Sequence, residues 1–371
     1  MIPLANPKVQ VDTQKDELLS EISKVFDKCQ FIIGENVKEV EKSYASKCGA
    51  AYGIGVNSGT DALVLALAAC GVGKDDEVIT VPYTFVATTE AILIRGAKPV
   101  FADIEPDTFN IDVSQIESKI TSKTKAILPV FLYGQTCDME TINAIASKHG
   151  LKVIADAAQA LGAKRNGKPI GMLADAACIS FFPTKNLGAC GDAGMIVTND
   201  EKLAETARSL RFHGMVPGTY YYDRIGYNSR LDELQAAVLK VKLPMLDTWN
   251  GRRRANAEYY LNELGGTGLI LPFAKPENYH IYHQFTLRCR HRDEMKAMLS
   301  ERGVGSAVYY PFPLHLQSCY GFLGYKKGDM PVAEQVCGEV LSVPVFPELS
   351  QEDRATVAGA LKECAEILDR Q

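Results

Sequence analysis

A single lysine directly after a predicted buried strand is the residue best placed for covalent chemistry. Residues 180–188 read SFFPTKNLG, in which Pro183 ends an apolar, aromatic run two residues before Lys185. A loop of small residues, GACGDAG, continues over residues 188–194. An amine held at a strand end against such a loop loses water, and desolvation favours the neutral, nucleophilic form that makes Schiff bases. Most lysines in such positions are solvated, so this interpretation depends on the other strand ends.

The first two predicted strands are followed by small and aromatic residues. The segment NSGTDA at residues 57–62 opens a helix, whose free backbone N–H groups and dipole favour an anion. An ordinary N-cap at Ser58 or Thr60 explains the same residues equally well. After the second strand, Phe85 either stacks on a flat ring or belongs to the core.

The predicted strand at residues 152–155 is followed directly by an aspartate. Asp156 follows the apolar run Val-Ile-Ala, and a buried carboxylate needs a partner, either an arginine or a protonated pyridine nitrogen. Gln159, one helical turn further, can donate to a neighbouring oxygen. In open α/β sheets the ligand binds outside the carboxyl ends of the strands. An anion cradle, a stacking surface, an acid and an amine at these ends together indicate pyridoxal 5′-phosphate (PLP).

Alternating strands and helices must position these residues. Helices are predicted at residues 16–29 and 36–48, and strands at 51–56, 77–80, 99–103, 126–130, 152–155, 176–182 and 193–198. This alternation indicates an α/β fold with a mostly parallel sheet covered on both faces. Beyond it lie a long helical pattern at 231–263, strands at 282–288 and 305–310, and helices at 292–302, 331–341 and 351–368. We expect a large PLP-binding α/β domain over residues 1–245 and a smaller α+β domain over residues 246–371.

The composition argues against several classes of protein. A net charge of −5 provides no basic surface for nucleic acid or an anionic membrane. The longest apolar run, residues 62–70, is too short to span a bilayer, and no signal peptide is predicted. Ten cysteines without a C-x-x-C pair are typical of reduced thiols. We expect a cytoplasmic protein without a metal site.

The same segments resemble the DegT/DnrJ/EryC/StrS family of sugar-nucleotide aminotransferases, whose architecture is fold type I (aspartate aminotransferase-like). The resemblance runs nearly end to end and rests on residues 57–63, 84–88, 156–159, 180–188, 228–232 and 309–315. One departure lies at residues 191–194, GDAG, where many relatives carry a second glycine in place of Ala193. We expect this departure to be tolerated because alanine is the smallest change.

The resemblance implies PLP as cofactor and a role for each residue around its ring. Lys185 would form a Schiff base with the cofactor, and Asp156 would pair with the pyridine nitrogen. Gln159 would contact the ring hydroxyl, and Phe85 would stack on the ring.

The resemblance also implies a phosphate site that two subunits share. Gly59, Thr60 and Ser180 would hold the phosphate from one subunit. Asn228 would reach it from the neighbouring subunit, which implies an obligate homodimer with shared active sites.

L-Glutamate as amino donor and a keto-sugar nucleotide as acceptor follow from the same resemblance. Arg230 either holds glutamate or makes a salt bridge at the subunit interface. Tyr309 and His315 lie in segments that border the sugar nucleotide in relatives, or they are structural. For His283 we favour a structural role, and Arg288 is predicted to be solvated.

The preferred reaction is amination of C3. The lysine motif and residues 246–253, LDTWNGRR, are most similar to enzymes that aminate C3 of a dTDP-linked 3-keto-6-deoxyhexose. Alternatives are a UDP-linked 3-keto-sugar of the glucuronate type and amination of C4. A dehydratase of the family would carry histidine in place of Lys185. A regulatory protein would need a basic recognition helix, which the sequence does not contain. A Rossmann dehydrogenase would need a glycine fingerprint, which is also missing.

Overall fold

A seven-stranded sheet lies at the centre of the structure, a computed structural model that describes residues 1–369. The strands in this part of the chain are β1 (Tyr52–Val56), β2 (Glu77–Thr80), β3 (Lys98–Phe101), β4 (Thr124–Ile127), β5 (Lys152–Asp156), β6 (Lys164–Arg165), β7 (Lys168–Pro169), β8 (Ala176–Ser180), β9 (Gly194–Thr198), β10 (Asn278–Tyr279), β11 (Phe285–Arg288) and β12 (Val340–Val343). The α-helices are α1 (Pro7–Lys28), α2 (Glu35–Lys47), α3 (Gly59–Ala69), α4 (Ala87–Ile94), α5 (Met139–His149), α6 (Glu201–Leu210), α7 (Glu233–Lys242), α8 (Leu246–Glu263), α9 (Arg292–Glu301), α10 (Pro331–Glu339) and α11 (Gln351–Leu368).

The strand order of the large sheet brings the candidate residues to one edge. The order is β1–β9–β8–β5–β4–β2–β3, in which β9 runs antiparallel to both of its neighbours and all other pairs are parallel. The prediction of a mostly parallel sheet in an α/β fold is therefore confirmed. β5 and β8 are direct neighbours, with Asp156 paired to Cys178. Their carboxyl ends, which carry the aspartate and the lysine, consequently lie side by side.

Local sequence signals define the ends of several helices. Ser58 caps α3, since its Oγ accepts from the N–H of Asp61 at 3.1 Å. Asp138 caps α5 in the same way, and Gly150 ends that helix with a φ of 67°, which glycine adopts readily. Ser350 caps α11 at the predicted boundary.

Two predicted elements of the C-terminal part are wrong in detail. The helical pattern at 231–263 is divided into α7 and α8 by a 3₁₀ turn at Leu243–Met245, because Pro244 lacks the N–H that a continuous helix requires. Residues 305–310 form no strand in the described structure. Only Ala307 there pairs with Ser342, in an isolated bridge.

Buried apolar residues form a large core around the seven-stranded sheet and a smaller core around β11, β12, α9 and α11. The two cores support the proposed division into a large and a small domain. The division does not follow the chain strictly, since Ile2 packs against the smaller core and Leu314 belongs to the larger. Among residues 1–369, no helix combines the length and the apolar character needed to cross a bilayer.

Candidate active site

Lys185 is carried by a tight loop that follows β8. Its backbone N–H donates to the carbonyl of Phe182 at 2.9 Å. A Cβ at Gly188 would lie 2.5 Å from the carbonyl oxygen of Pro183, so only glycine lets the chain return this closely. The buried Lys242 of α7 donates to the carbonyl of Gly188 at 2.7 Å. The small residues predicted after the lysine therefore form a fixed support for it.

The amine of Lys185 is desolvated, as the sequence predicts. Burial lowers the pKa of Lys185 from 10.5 to about 8, and the charge of Asp156 opposes part of this shift. No hydrogen bond within residues 1–369 engages its Nζ atom. With this pKa a sizeable minority of the amine, roughly a fifth at pH 7.4, is neutral and available as a nucleophile.

The reactivity of Lys185 should depend on pH accordingly. With a pKa of about 8, labelling of this amine in the apoenzyme by an acylating reagent should rise through pH 8 and level off above about pH 9. The exposed Lys202, labelled in the same samples, is the reference lysine. Peptide mass spectrometry after brief labelling measures both residues. Identical profiles for the two lysines would contradict the desolvation of Lys185.

Asp156 lies at the end of β5 and is only 6% exposed. Thr88 Oγ1 donates to its Oδ2 at 2.7 Å, and the N–H of Ala158 donates to its Oδ1 at 3.1 Å. Burial raises the pKa of Asp156, while these two donors and the charge of Lys185 oppose the rise. Within residues 1–369 no arginine pairs with this carboxylate. Both of its hydrogen-bond donors are neutral, and Lys185 acts on it only through its charge, which favours a cationic pyridine nitrogen as hydrogen-bond partner over an arginine.

Gln159 has a defined orientation. Its Oε1 accepts from the backbone N–H of Tyr133 at 2.7 Å, and because that group can only donate, the amide cannot be reversed. Its Nε2 is therefore the donor and lies 3.3 Å from the hydroxyl of Tyr310. In this structure the Gln159 amide donates to the phenol of Tyr310, and its contact with a cofactor hydroxyl stays a prediction.

Phe85 presents an open aromatic surface. The residue is 54% exposed, so the interpretation as a core residue is wrong. Its ring centroid lies 6.1 Å from that of Tyr310, with the two planes inclined by 38°. The ring remains a candidate for stacking on a flat ligand.

The start of α3 and the end of β8 form a narrow cradle. A Cβ at Gly59 would lie 2.7 Å from the Cβ of Ser180, so the glycine keeps this space open. Gly59 and Thr60 occupy the first turn of α3, where backbone N–H groups have no helical acceptor. Ser58 caps the helix without occupying these groups. The predicted N-cap and the predicted anion site are thus compatible, because they use different donors of the same turn.

Ala193, the departure from the family pattern, lies at the end of the loop after Lys185, just before β9. Ala193 is buried, and its carbonyl accepts from the N–H of Phe181 at 2.9 Å. The position that excludes a side chain is Gly194, where a Cβ would lie 2.2 Å from the carbonyl oxygen of Ser58.

Three predicted site residues are not joined to this group by any contact within residues 1–369. Asn228 is exposed and bridges to Phe212, and the guanidinium of Arg230 lies 4.9 Å from the centroid of the Phe212 ring. His315 is 2% exposed, and its Nε2 lies 3.1 Å from Oε1 of Glu334. That burial leaves no surface of His315 for a sugar, so the structure favours its structural interpretation.

Tyr309 lies beside the site through its backbone. Its carbonyl accepts from the hydroxyl of Tyr83 at 2.7 Å and from the hydroxyl of Tyr133. Its ring packs edge-on against Tyr310, at 5.9 Å between centroids. The ring itself is partly exposed, so a sugar contact stays a prediction.

The sequence does not identify the residues that bind Asp156 and Gln159. Thr88 and Tyr310 lie inside the motifs at residues 84–88 and 309–315, but nothing in the sequence links them to Asp156 and Gln159, which they contact from 68 and 151 positions away. Asn186, next to the lysine, binds two other side chains. The prediction that Arg288 is solvated is wrong, since it is 7% exposed and pairs with Glu339 at 2.7 Å.

The whole chain is similar to proteins of related function. It is 51% identical to a "Pleiotropic regulatory protein" of Geobacillus stearothermophilus, over 98% of each chain. It is 45% identical to a UDP-N-acetyl-3-dehydro-α-D-glucosamine 3-aminotransferase of Acidithiobacillus ferrooxidans, over 97% of each chain. The crystal structure of Streptomyces venezuelae DesV, solved with a ketimine intermediate, superposes with a TM-score of 0.96 at 40% identity over 98% of each chain. Other solved aminotransferases of this fold include PLP and PMP forms.

These similarities define an aminotransferase fold. The model of the DegT/DnrJ/EryC1/StrS aminotransferase family matches residues 12–362, and the chain belongs to this family. The family, the fold class and the enzyme class predicted from the sequence are confirmed.

Proposed function

We propose that the protein transfers the amino group of L-glutamate to the C3 keto group of a sugar nucleotide, with PLP as its cofactor. The observation that carries this proposal is a desolvated amine and a buried carboxylate at neighbouring strand ends, Lys185 and Asp156. The aminotransferase family of the chain and the cofactor forms of its solved relatives support it.

The residues of the site fit PLP. The cradle kept open by Gly59 suits a phosphate at the start of α3. Phe85 offers a face for the ring, and Asp156 has no hydrogen-bonded cationic partner within residues 1–369. Lys185 supplies a free amine for the aldehyde. When bound, the cofactor supplies the aldehyde and an electron-accepting ring.

The chain itself contributes binding and proton transfer. Lys185 Nζ, as a neutral amine, removes the proton from the α-carbon of the donor and returns a proton later in the cycle. With the cofactor bound, the carboxylate of Asp156 would pair with the ring nitrogen and keep it protonated. Gln159 keeps an amide N–H directed into the site because Tyr133 fixes its oxygen.

The phosphate cradle can be tested by filling it. Gly59→Val would place side-chain atoms in the space beside Ser180, so the affinity for PLP should fall by roughly a hundredfold, the factor expected for about 3 kcal/mol of lost phosphate contacts and steric strain. Titration of the apoenzyme with PLP, followed by absorbance, measures this. Gly73→Ala is the matched control, because a Cβ at Gly73 meets no atom within 4 Å. Equal affinities for the two variants would rule out the cradle.

The acceptor is proposed to be a dTDP-linked 3-keto-6-deoxyhexose. The observation favouring the second candidate, a UDP-linked 3-keto-sugar, is the 45% identity to a relative named for such a substrate. The glutamate-loaded enzyme should lose its amino group to 3-keto-sugar nucleotides and keep it with 4-keto ones. Mass spectrometry of the products from a panel with dTDP and UDP separates these cases. Amination of 4-keto substrates alone would overturn the C3 assignment.

A catalytic role is favoured over the regulatory one that the name of a relative suggests. The lysine at residue 185 also argues against a dehydratase, which would carry histidine there. Addition of glutamate to the PLP-loaded protein should bleach its visible absorbance band. A spectrum that does not respond to any amino donor would contradict an aminotransferase.

Active sites shared between the subunits of a homodimer are part of the proposal. Asn228 is exposed and bridges to Phe212, not to the site residues of its own chain, so it is free to serve the site of a neighbouring subunit. Lys185→Ala and Asn228→Ala should each lower the activity strongly. Mixed by co-expression, they should regain about a quarter of the wild-type activity, because half of the dimers then carry one intact site. Heterodimers without recovered activity would show that each subunit works alone.

A further inference from the structure

A narrow cavity lies beside the loop that carries Lys185. Its walls come from the start of α1, the loop at residues 183–185, α8 and the segment at residues 346–348. About 10 Å³ of this cavity is open to water, which is about the volume that a single water molecule requires. The cavity can therefore hold one water and is too small for a substrate.

The guanidinium of Arg253, on the α8 wall, has a donor without an acceptor. Arg253 is 5% exposed, and its Nη1 donates to the carbonyl of His283 at 3.1 Å. Its Nε is buried and has no hydrogen-bond partner within residues 1–369. Buried N–H groups in proteins are almost always paired, and ordered water is the usual partner where the protein supplies none.

A carboxylate lines the same cavity without touching the arginine. Glu348 is half-buried, and its Oε2 lies 3.4 Å from Nε2 of Gln10, which also lines the cavity. Within residues 1–369 no nitrogen of Arg253 approaches an oxygen of Glu348 to 4.0 Å or less. Burial lowers the pKa of Arg253 to about 10 and raises the pKa of Glu348, and in each case the charge of the other residue opposes the shift.

We propose that one ordered water occupies this cavity, accepts a hydrogen bond from Nε of Arg253 and donates one to the carboxylate of Glu348. The bridge turns two separated buried charges into a water-mediated ion pair. Pro183, Thr184 and Lys185 form the adjoining wall, so the bridged pair supports the loop that carries the lysine amine.

Water fits this cavity better than other occupants do. A water molecule both accepts and donates, which matches a donor on one wall and an acceptor on another. An anion would face the carboxylate of Glu348, and an amino acid exceeds the available volume. The inference goes beyond the proposed function, because it concerns the support of the loop and not the group that is transferred.

A crystal structure of the PLP-loaded protein at high resolution tests the water itself. One water should lie within about 3.2 Å of both Nε of Arg253 and a carboxylate oxygen of Glu348. An empty cavity, an anion in it, or a direct ion pair between the two residues would overturn the proposal.

Hydrogen exchange of the full-length, PLP-loaded protein tests the support of the loop. Glu348→Gln keeps an oxygen that can accept from the water, whereas Glu348→Leu has a similar size and no acceptor. Without the bridge the loop should open more often, so Glu348→Leu should speed exchange of the backbone amides at residues 184–187 roughly tenfold. Glu348→Gln should stay within about twofold of wild type, because both variants lack the charge and only one lacks the acceptor.

The amides of α9 are the internal control and should exchange at the wild-type rate in both variants. Equal exchange at residues 184–187 in Glu348→Gln and Glu348→Leu would refute the support, and so would a matching rise in α9. Neither measurement requires turnover, so a failure of the aminotransferase function would leave both results interpretable.

Discussion

Replacement of Lys185 by alanine should lower turnover by roughly 10⁴-fold or more, because one amine both binds the cofactor aldehyde and moves the proton of the donor. The methyl group of alanine can do neither. Initial rates with glutamate and a 3-keto-sugar nucleotide measure the loss. The absorbance spectrum of the PLP-loaded variant should lack the visible band of lysine-bound cofactor.

Controls distinguish lost chemistry from lost structure. The Lys185 amine is desolvated and has no hydrogen-bond partner within residues 1–369, so its removal should not lower the unfolding temperature. Lys202→Ala deletes an exposed amine and should leave turnover unchanged. Added methylamine should restore part of the activity of Lys185→Ala, since it replaces the missing base. Wild-type turnover in Lys185→Ala would remove the basis of the proposed function.

The site could be located from the sequence because each strand end has a local signal. The apolar run before Asp156 predicts β5, and the buried run before Lys185 predicts β8. What the sequence left open was the partner of Asp156, because Thr88 lies 68 positions away along the chain. Only the fold shows that neutral donors fill this role and that no arginine does within the described residues.

The wrong predictions for residues 305–310 and for Arg288 also result from contacts between residues far apart in the sequence. Residues 305–310 contain residues typical of a strand, yet the carbonyl of Tyr309 accepts from tyrosine hydroxyls instead of from a neighbouring strand. Pro311 follows directly and favours an extended end over a continued ladder. The sequence predicts a solvated Arg288 because Glu339, its partner, lies 51 positions further along the chain. Contacts of this range leave no periodic signal in the sequence.

Some of the predicted site residues contact one another within a single subunit, and others do not. Gly59 and Ser180 meet within the chain, so their cradle is visible in one subunit. Asn228 and Arg230 are specified only by resemblance, since their nearest contacts involve Phe212 and not the site. The proposed role of Asn228 needs a second subunit, and for Arg230 both glutamate binding and an interface salt bridge stay predictions.

Asp156→Asn should slow the glutamate half-reaction by roughly 10² to 10³-fold while PLP still binds. Asparagine keeps the size of the side chain and can still accept from Thr88, but it lacks the charge that holds a proton on the ring nitrogen. Single-turnover absorbance changes after mixing with glutamate measure the rate, and apoenzyme titration measures PLP binding. Thr88→Ser retains a hydroxyl for Oδ2 and is the matched control, expected to stay within about threefold of wild type.

The reactivity of Lys185 in the asparagine variant separates the effect of the carboxylate on the ring nitrogen from its effect on the pKa of Lys185. The charge of Asp156 raises the pKa of Lys185 against the effect of burial, so removing that charge should move the pKa of Lys185 below about 8. More of the amine is then neutral at pH 7, and Lys185 itself should be no less reactive in apoenzyme labelling. A slow half-reaction combined with a fully reactive lysine would locate the defect at the ring nitrogen. A wild-type rate in Asp156→Asn would instead make this carboxylate a structural acceptor for Thr88 and Ala158.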